Sequence, residues 1–192
     1  MACVAGLGFL QFGYSAWIPA KAWLAQGLMQ HAWLRARNGE RDTRPWPWAD
    51  TAPVARLSAQ GGDIELIVLA GGSGRTLAFG PGHLGASVLP GDMGNSIIAG
   101  HRDTHFRFLQ NIREGDELRV ERADGRLLKF RVTGTDVVDS RIGSVVLDTD
   151  TATLTLITCY PFAAIEPGGP LRFVVTAELA AETPGLSAAL QH

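Results

Sequence analysis

One cysteine and one histidine stand where a sequence could place a catalytic pair. Cys159 ends the strand-like run TLTLITC, and Pro161 follows it closely. His101 follows another apolar run, NSIIAG, and precedes the polar group RDTH. A histidine beside a cysteine can hold the thiol as a thiolate and later donate a proton to a leaving amine. A lone residue of either type is usually structural, so a catalytic pair requires that the fold bring the two together.

The alternation of apolar residues indicates which way Cys159 points. Successive strand residues face opposite sides of a sheet, and Leu154 and Leu156 mark the core face. Cys159 then lies on the other face, at a strand end where Pro161 lacks an amide donor. The same alternation in LRFVVTAEL places Arg172 on the outward face of its strand. We expect the two strands to be neighbours, with Cys159 and Arg172 on comparable faces.

Length, charge and cysteine content exclude several classes of protein. With 192 residues, 46% of them hydrophobic and 19% charged, the chain is long enough for one sizeable core. A formal net charge of −2 is too small and too evenly spread to indicate a nucleic-acid surface. The two cysteines, Cys3 and Cys159, have no metal-ligand spacing around them. We therefore expect neither a disulfide framework nor a zinc site, and no cofactor.

The first residues differ in composition from the rest of the chain. No charged residue occurs at positions 2–20, and a helix of about 20 such residues would cross a bilayer core of roughly 30 Å. Trp17 and Lys21, near the end of this segment, are typical of interface anchors. We predict a transmembrane signal-anchor helix at 1–20, in preference to a cleaved signal peptide or a buried helix. The basic residues that follow would, on charge bias alone, place the domain in the cytoplasm.

The next part of the chain, 21–53, is predicted to form an amphipathic helix and then a connector rich in proline and tryptophan. The helix prediction rests on four residues at helical spacing: Leu24, Leu28, His31 and Ala32. Asn38 and Gly39 are expected to end the helix.

From Pro53 onward, short β-like runs alternate with glycine and polar turns. We predict strands at 64–71, 96–100, 117–123, 127–138, 153–158 and 171–179. ADGR at 123–126 is typical of a hairpin turn. Many strands and few helices favour an all-β barrel or sandwich at 54–180, followed by a weakly ordered tail at 181–192.

Three motifs together resemble those of a known enzyme family. IIAGHRDTHFRFL (97–109), TLITCYPF (155–162) and LRFVV (171–175) resemble the histidine, cysteine and arginine motifs of the sortases, in the family's order. The resemblance runs from about Trp46 to Leu179. The segments KAWLAQ and RPWPWADTAPVARL are most similar to the sortase class found in Gram-negative bacteria, with classes D and E as near alternatives.

The resemblance implies a closed eight-stranded β-barrel with short helices and a cysteine transpeptidase activity. Cys159 would attack a backbone carbonyl in the C-terminal sorting signal of a secreted protein and form a thioester. His101 would protonate the departing amine and then assist the attack of an amine acceptor. Arg172 would hold the substrate and stabilise the oxyanion, a role that suits its fixed charge and forked donors.

Further substrate-binding residues follow from the same resemblance. Thr158 would assist the oxyanion from its position before the nucleophile. The loop at 139–150 would form a wall of the peptide groove, with apolar contacts from Val145, Val146 and Leu147. The acidic residues of this loop are expected to be solvated, so no metal site is predicted.

The resemblance also bears on the cellular compartment. It implies a single-pass protein of the cell inner membrane whose catalytic domain faces the periplasm. An unpaired thiol in an oxidising compartment calls for a functional reason, which catalysis would supply. Charge bias points the other way, so the sequence alone leaves the orientation open.

Two other functions are compatible with the residues. A membrane-anchored cysteine peptidase would use the same pair and release the acyl group to water. A non-catalytic β-barrel binding module would leave Cys159 inert. The L,D-transpeptidases also join peptides through cysteine and histidine on a β fold, but their usual motifs are absent from this sequence.

Overall fold

The computed structural model describes residues 21–164, 166 and 168–180. The predicted membrane helix at 1–20 and the predicted tail at 181–192 lie outside the described residues. Within the described part of the chain, no helix combines the length and the apolar composition needed to span a bilayer.

Eight strands form a closed barrel. Their bounds are β1 Pro53–Ala59, β2 Ile64–Ala70, β3 Gly82–His83, β4 Gly94–Ala99, β5 Glu117–Arg122, β6 Leu127–Asp139, β7 Ala152–Cys159 and β8 Leu171–Leu179. Their order around the barrel is β1-β2-β3-β4-β7-β8-β6-β5. Among the described residues, 21–37 are helical and are called α1. The other helices there are short: α2 spans Gly74–Leu77, and two 3-10 turns are η1 (Gln60–Gly62) and η2 (Arg107–Asn111). The predicted closed eight-stranded barrel is confirmed.

The barrel closes because β1 pairs with β5 as well as with β2, and β6 is offset between its two neighbours. Its first half is hydrogen-bonded to β5, from Leu127 opposite Glu121 to Arg131 opposite Glu117. Its second half runs along β8 as far as Asp139. Such an offset between neighbouring strands is what a closed barrel requires. The core inside is apolar, with Leu57, Ile98, Leu118, Phe130, Leu154, Leu156 and Val175 all fully buried.

Six of the eight strands match the predicted runs to within one or two residues, and two were missed. β1 begins at Pro53, which we placed at the end of the connector. Its alternating burial is that of a strand, since Ala55, Leu57 and Ala59 face the core. β3 has only two residues, too few for any alternation to be visible in the sequence. The ADGR turn is confirmed, with the Gly125 amide donating to the Arg122 carbonyl at 3.0 Å.

Helix α1 packs on the outside of the barrel with a different face from the one predicted. Met29 and Trp33 are almost completely buried against Ile67 and Leu69 of β2. Leu24, which we assigned to the buried stripe, is 57% exposed, and His31 is exposed as well. Leu28 and Ala32 do lie toward the barrel. The prediction was off by part of a turn because alanine and methionine carry the true stripe.

Gly100, one residue beyond β4, lies against the ring of Phe106. A Cβ at this position would come within 2.8 Å of two atoms of that ring, closer than real Cβ contacts allow. Phe106 is fully buried, so its ring has no free space to move into. Only glycine fits at this position, directly before His101, without displacing the ring.

Gly100→Ala is therefore expected to destabilise the protein through overpacking against Phe106. The free energy of unfolding should fall by about 1–3 kcal/mol in a denaturant titration. Gly85→Ala is the matched control, because nothing lies within 4 Å of its Cβ position. That variant should stay within about 0.5 kcal/mol of the parent.

The double variant Gly100→Ala/Phe106→Leu should recover part of the lost stability, because leucine takes up less space than the phenylalanine ring. A double-mutant cycle measures this coupling. Equal losses with and without Phe106→Leu would show that the ring is not the obstacle.

Candidate active site

Cys159 and Arg172 lie directly opposite each other at the paired ends of β7 and β8. Directly opposite residues of an antiparallel pair point to the same face, with Cβ atoms about 4.5–5.5 Å apart. Leu154 and Leu156 of β7 point into the core, so Cys159 points outward, as the alternation predicted. Cys159 and Arg172 are each partly exposed. The strand pairing thus places Cys159 and Arg172 next to each other on the outer face of the barrel.

His101 reaches the same place from β4, which runs parallel to β7 on its other side. Ala99 is paired with Ile157, so two residues further on each chain His101 comes level with Cys159. The pairing continues past the end of β4, because the Gly100 amide donates to the Ile157 carbonyl at 3.0 Å. His101 itself is exposed. The three predicted residues therefore lie side by side at one end of three adjacent strands, in the order His101, Cys159, Arg172, with His101 two residues beyond β4.

A pocket of about 130 Å³ opens between the histidine and the cysteine. Its lining is His101, Arg102, Asp103, Cys159, Tyr160, Pro161, Ala164, Glu166, Gly168 and Gly169. Most of these residues belong to the loop between β7 and β8, which forms one wall. Arg172 borders the pocket indirectly, since its Nη1 donates to the Gly169 carbonyl at 2.6 Å and to the Leu171 carbonyl at 2.9 Å.

Aromatic packing supports the wall of the pocket behind Cys159. The rings of Tyr160 and Phe173 are stacked at 6.2 Å, and Phe162 meets Phe173 edge to face at 5.2 Å. Such pairs stabilise a particular geometry as well as burying area. The three rings fix the chain directly after the nucleophile.

The electrostatic surroundings of the pocket shift the pKa values of one carboxylate, Asp103, and one histidine, His105. The Arg102 guanidinium lowers the pKa of Asp103, first through its hydrogen bond and further through its charge, although burial opposes the shift. Burial lowers the pKa of His105, and the charge of His101 lowers it further. His105 is therefore neutral at pH 7, and His101 is the histidine that lines the pocket.

Asp139, at the end of β6, is held in the same ionised state. Arg141 lowers the pKa of Asp139 to about 2, chiefly by donating from its side chain and backbone amide to the carboxylate. Since this pKa lies below the ordinary value, the contact contributes stability at neutral pH that is lost only as the pH falls toward 2. The contact with Arg141 thus holds Asp139, the first residue of the loop at 139–150. Asp139 directly follows Val138, which is paired with Arg172.

Thr158 lies on the core face of β7. Its side chain is only 2% exposed, and its Oγ1 donates to the Gly100 carbonyl at 2.7 Å. The side chain points inward because it shares a face with Leu154 and Leu156. The hydroxyl therefore joins β7 to the residue before His101, and the role of Thr158 in assisting the oxyanion stays a prediction.

Val145, Val146 and Leu147 do not line the pocket at Cys159. The carbonyl of Leu147 accepts from the Asn95 amide and that of Val146 from the Asn95 side chain, both at 2.8 Å. Asn95 lies at the start of β4, six residues or roughly 20 Å from His101. Val146 and Leu147 are 64% and 41% exposed. Their role in substrate binding stays a prediction.

Arg102 is the pocket residue that sequence reasoning passed over. It is only 7% exposed although it carries a fixed charge. The sequence shows it beside His101 in a polar run, where exposure is the ordinary expectation. Only its partners on the loop after Cys159 explain its burial, and those lie about 60 residues away along the chain.

A family model of the sortase domain matches residues 57–180 of the chain, a range that includes His101, Cys159 and Arg172. The chain belongs to the sortase family. The family predicted from the three motifs is therefore confirmed. Sortases are cysteine transpeptidases, so membership supports the prediction of an enzyme.

This sortase is similar to proteins of several sortase classes. It is 32% identical to sortase D of Bacillus subtilis (strain 168) over 114 residues, which are 59% of this chain and 57% of that protein. The match thus spans little more than half of the relative's length. Among solved structures, sortase A from Corynebacterium diphtheriae is 29% identical, with a TM-score of 0.61 over 73% of this chain and 66% of that one.

A sortase D5 transpeptidase from Clostridium perfringens has a TM-score of 0.60 over 68% of this chain and 80% of that one. At 23% identity this likeness concerns the fold. The barrel of the present sortase is accordingly the barrel of the family, across more than one class.

Replacing Thr158 with valine tests the hydroxyl link to Gly100. The variant keeps the size and branching of the side chain but leaves the Gly100 carbonyl without this donor. We expect the free energy of unfolding to fall by about 1–3 kcal/mol and the Gly100 amide to exchange with solvent faster, as followed by hydrogen exchange. Thr158→Ser keeps the hydroxyl and should retain slow exchange. Equal exchange in both variants would contradict the link.

Proposed function

We propose that the protein is a membrane-anchored sortase that cleaves the C-terminal sorting signal of a secreted protein and transfers the acyl group to an amine. One observation carries this proposal: His101, Cys159 and Arg172 lie next to one another at one end of three adjacent strands, with the first two lining one pocket. A nucleophile, an acid–base group and a fixed cation are the parts that acyl transfer through a thioester needs.

In the first half of the proposed reaction, the thiolate of Cys159 attacks the scissile backbone carbonyl. The oxyanion that forms takes its hydrogen bonds from the guanidinium of Arg172, the residue paired with Cys159 across β7 and β8. When the carbon–nitrogen bond breaks, the leaving amine takes a proton from His101. The product is a thioester on Cys159 and a free C-terminal fragment.

In the second half, an incoming amine attacks the thioester carbonyl. The carbon–sulfur bond breaks, the sulfur leaves as thiolate, and the proton lost by the attacking nitrogen returns to His101. The new bond is an amide, and both catalytic residues are back in their starting states. Arg172 serves the second oxyanion as it served the first.

The peptide groove proposed for this enzyme runs along the outer side of β4 and β7. The loop at 139–150 starts one residue from the position opposite Arg172 and reaches the beginning of β4 at Leu147. It therefore follows these strands away from Cys159 over about 20 Å, a length that accommodates several extended residues. We propose that Val145, Val146 and Leu147 supply apolar contacts there, and the exposure of Val146 and Leu147 supports this.

The sortase class is a finer proposal. The similarity to sortase D of Bacillus subtilis supports class D, one of the near alternatives drawn from the sequence. The Gram-negative class stays our proposal on the KAWLAQ and RPWPWADTAPVARL segments.

Membrane anchoring and location are likewise proposed. The uncharged segment at 2–20 supports a single-pass anchor, and a substrate that is secreted supports a catalytic domain in the periplasm, attached to the cell inner membrane.

A transpeptidase and a peptidase differ in what resolves the acyl-enzyme. We expect incubation with a library of peptides that carry a randomised segment to form an acyl-enzyme. The mass of the protein should rise by that of an acyl group attached to Cys159. Addition of triglycine should then yield mainly the peptide–triglycine amide, measured by mass spectrometry. Hydrolysed peptide as the sole product with every amine tried would contradict transfer.

The matched control uses the two cysteines of the chain. Cys159→Ala should give no acyl adduct and no product, whereas Cys3→Ser should react as the parent does. Product formation by Cys159→Ala would remove the thioester from the mechanism.

A further inference from the structure

Arg102 is a buried charge next to the catalytic histidine. Only 7% of it is exposed, yet arginine is almost never buried to this degree unless its charge is paired. The residue lines the pocket between His101 and Cys159. It is absent from the catalytic steps proposed above, so its burial calls for another explanation.

The guanidinium of Arg102 is bound on two sides. Toward its own segment, Nε and Nη2 donate to the two carboxylate oxygens of Asp103 at 2.8 and 3.0 Å. Toward the loop between β7 and β8, Nη1 donates to the Pro161 carbonyl at 2.7 Å and Nη2 to the Ala164 carbonyl at 2.9 Å. All four contacts are made by one guanidinium, and no other side chain has the forked donor geometry to match them.

The two carbonyls belong to the pocket wall. Pro161 and Ala164 both line the pocket, and the Ala164 amide donates to the Pro161 carbonyl at 3.2 Å, so this turn is held from both sides. The other end of the same loop is held by Arg172, which donates to the Gly169 carbonyl. The wall of the pocket beside Cys159 is therefore held by Arg102 at one end and by Arg172 at the other.

Burial makes the Arg102 contacts worth more than surface contacts of the same length. A buried charge that loses its partners pays the cost of desolvation without compensation, so the contacts are strongly favoured to persist. The pKa of Arg102 is raised, first by its hydrogen bond to Asp103 and in smaller part by the charges of Asp103 and Cys159, with burial opposing. The cation is thus permanent at any pH at which the enzyme works.

We propose that Arg102 is a positioning residue that decides the fate of the acyl-enzyme. It ties the wall formed by Pro161 and Ala164 to the segment that carries His101, so that the pocket stays closed around the thioester. This inference rests on the proposed transpeptidase function. A loosened wall admits water, whose oxygen attacks the same carbonyl carbon, breaks the same carbon–sulfur bond and gives its proton to His101. Loss of Arg102 therefore diverts the thioester from the amine to water.

The test measures the ratio of hydrolysed to amine-transferred product at one fixed triglycine concentration. Arg102→Met loses both carbonyl contacts and should raise this ratio roughly tenfold, the factor for weakening the closed state by one hydrogen bond of a charged group. Arg102→Lys keeps the charge but not the fork, and should raise the ratio as well. Arg107→Met, an exposed arginine of the same segment, is the charge-matched control and should leave it unchanged.

A second measurement does not require catalytic turnover. It keeps the inference testable if one variant folds poorly. Labelling of Cys159 by a bulky maleimide, in a Cys3→Ser background, should be faster in Arg102→Lys than in the parent, while a small alkylating reagent reacts at similar rates. Thermal unfolding of each variant shows whether it is folded at the assay temperature.

The outcomes separate this inference from the proposed function. A parent protein that forms no acyl-enzyme with any peptide would overturn the function, and the maleimide rates would still report on the wall. An Arg102→Lys variant with the parent's product ratio and the parent's labelling rates would overturn the positioning role. A ratio raised equally by Arg107→Met would show that net charge, and not the tie to the wall, is responsible.

Discussion

The site depends on one pair of hydrogen bonds around Gly100. The Gly100 amide donates to the Ile157 carbonyl, and the Gly100 carbonyl accepts from the Thr158 hydroxyl. These bonds extend the β4–β7 pairing by one residue beyond the end of β4. The next residue on each side is catalytic in our proposal: His101 follows Gly100, and Cys159 follows Thr158. Glycine is required at the junction because Phe106 leaves no space for a Cβ.

From this junction the rest of the site follows by strand pairing. Antiparallel pairing sets Arg172 opposite Cys159, and the barrel core fixes both strands through the buried leucines of β7. The loop between β7 and β8 then lines the same pocket as Cys159, with an arginine bound to backbone carbonyls near each of its ends. The positions of the reactive side chains are thus set mainly by backbone hydrogen bonds, which a rigid barrel holds in place.

How far the sequence predicts this arrangement varies from residue to residue. Alternation in TLTLITC was sufficient to place Cys159 outward, because two leucines mark the core face unambiguously. The motifs around His101, Cys159 and Arg172 were sufficient for the family. β1 was missed because a proline begins it, and β3 because two residues carry no period. The face of α1 was misassigned because Met29 and Trp33, not Leu24, meet the barrel.

The partners of Thr158 and Arg102 were beyond reach because they are distant along the chain. Gly100 lies 58 residues from Thr158, and Pro161 and Ala164 lie 59 and 62 residues from Arg102. Alternation places the Thr158 side chain on the core face, but it does not name the carbonyl that the hydroxyl meets. Only the fold shows that both residues hold backbone segments together.

The central claim, that strand pairing sets His101 beside Cys159 on one face, can be tested without a substrate. Neighbouring strands lie about 4.8 Å apart, within the Cα separation of roughly 4.4–6.8 Å that a disulfide spans. In a Cys3→Ser background, His101→Cys should therefore form a disulfide with Cys159 under mild oxidation, with loss of two hydrogens and of both alkylatable thiols. Two thiols that both remain open to alkylation after oxidation, in a folded protein, would contradict the account.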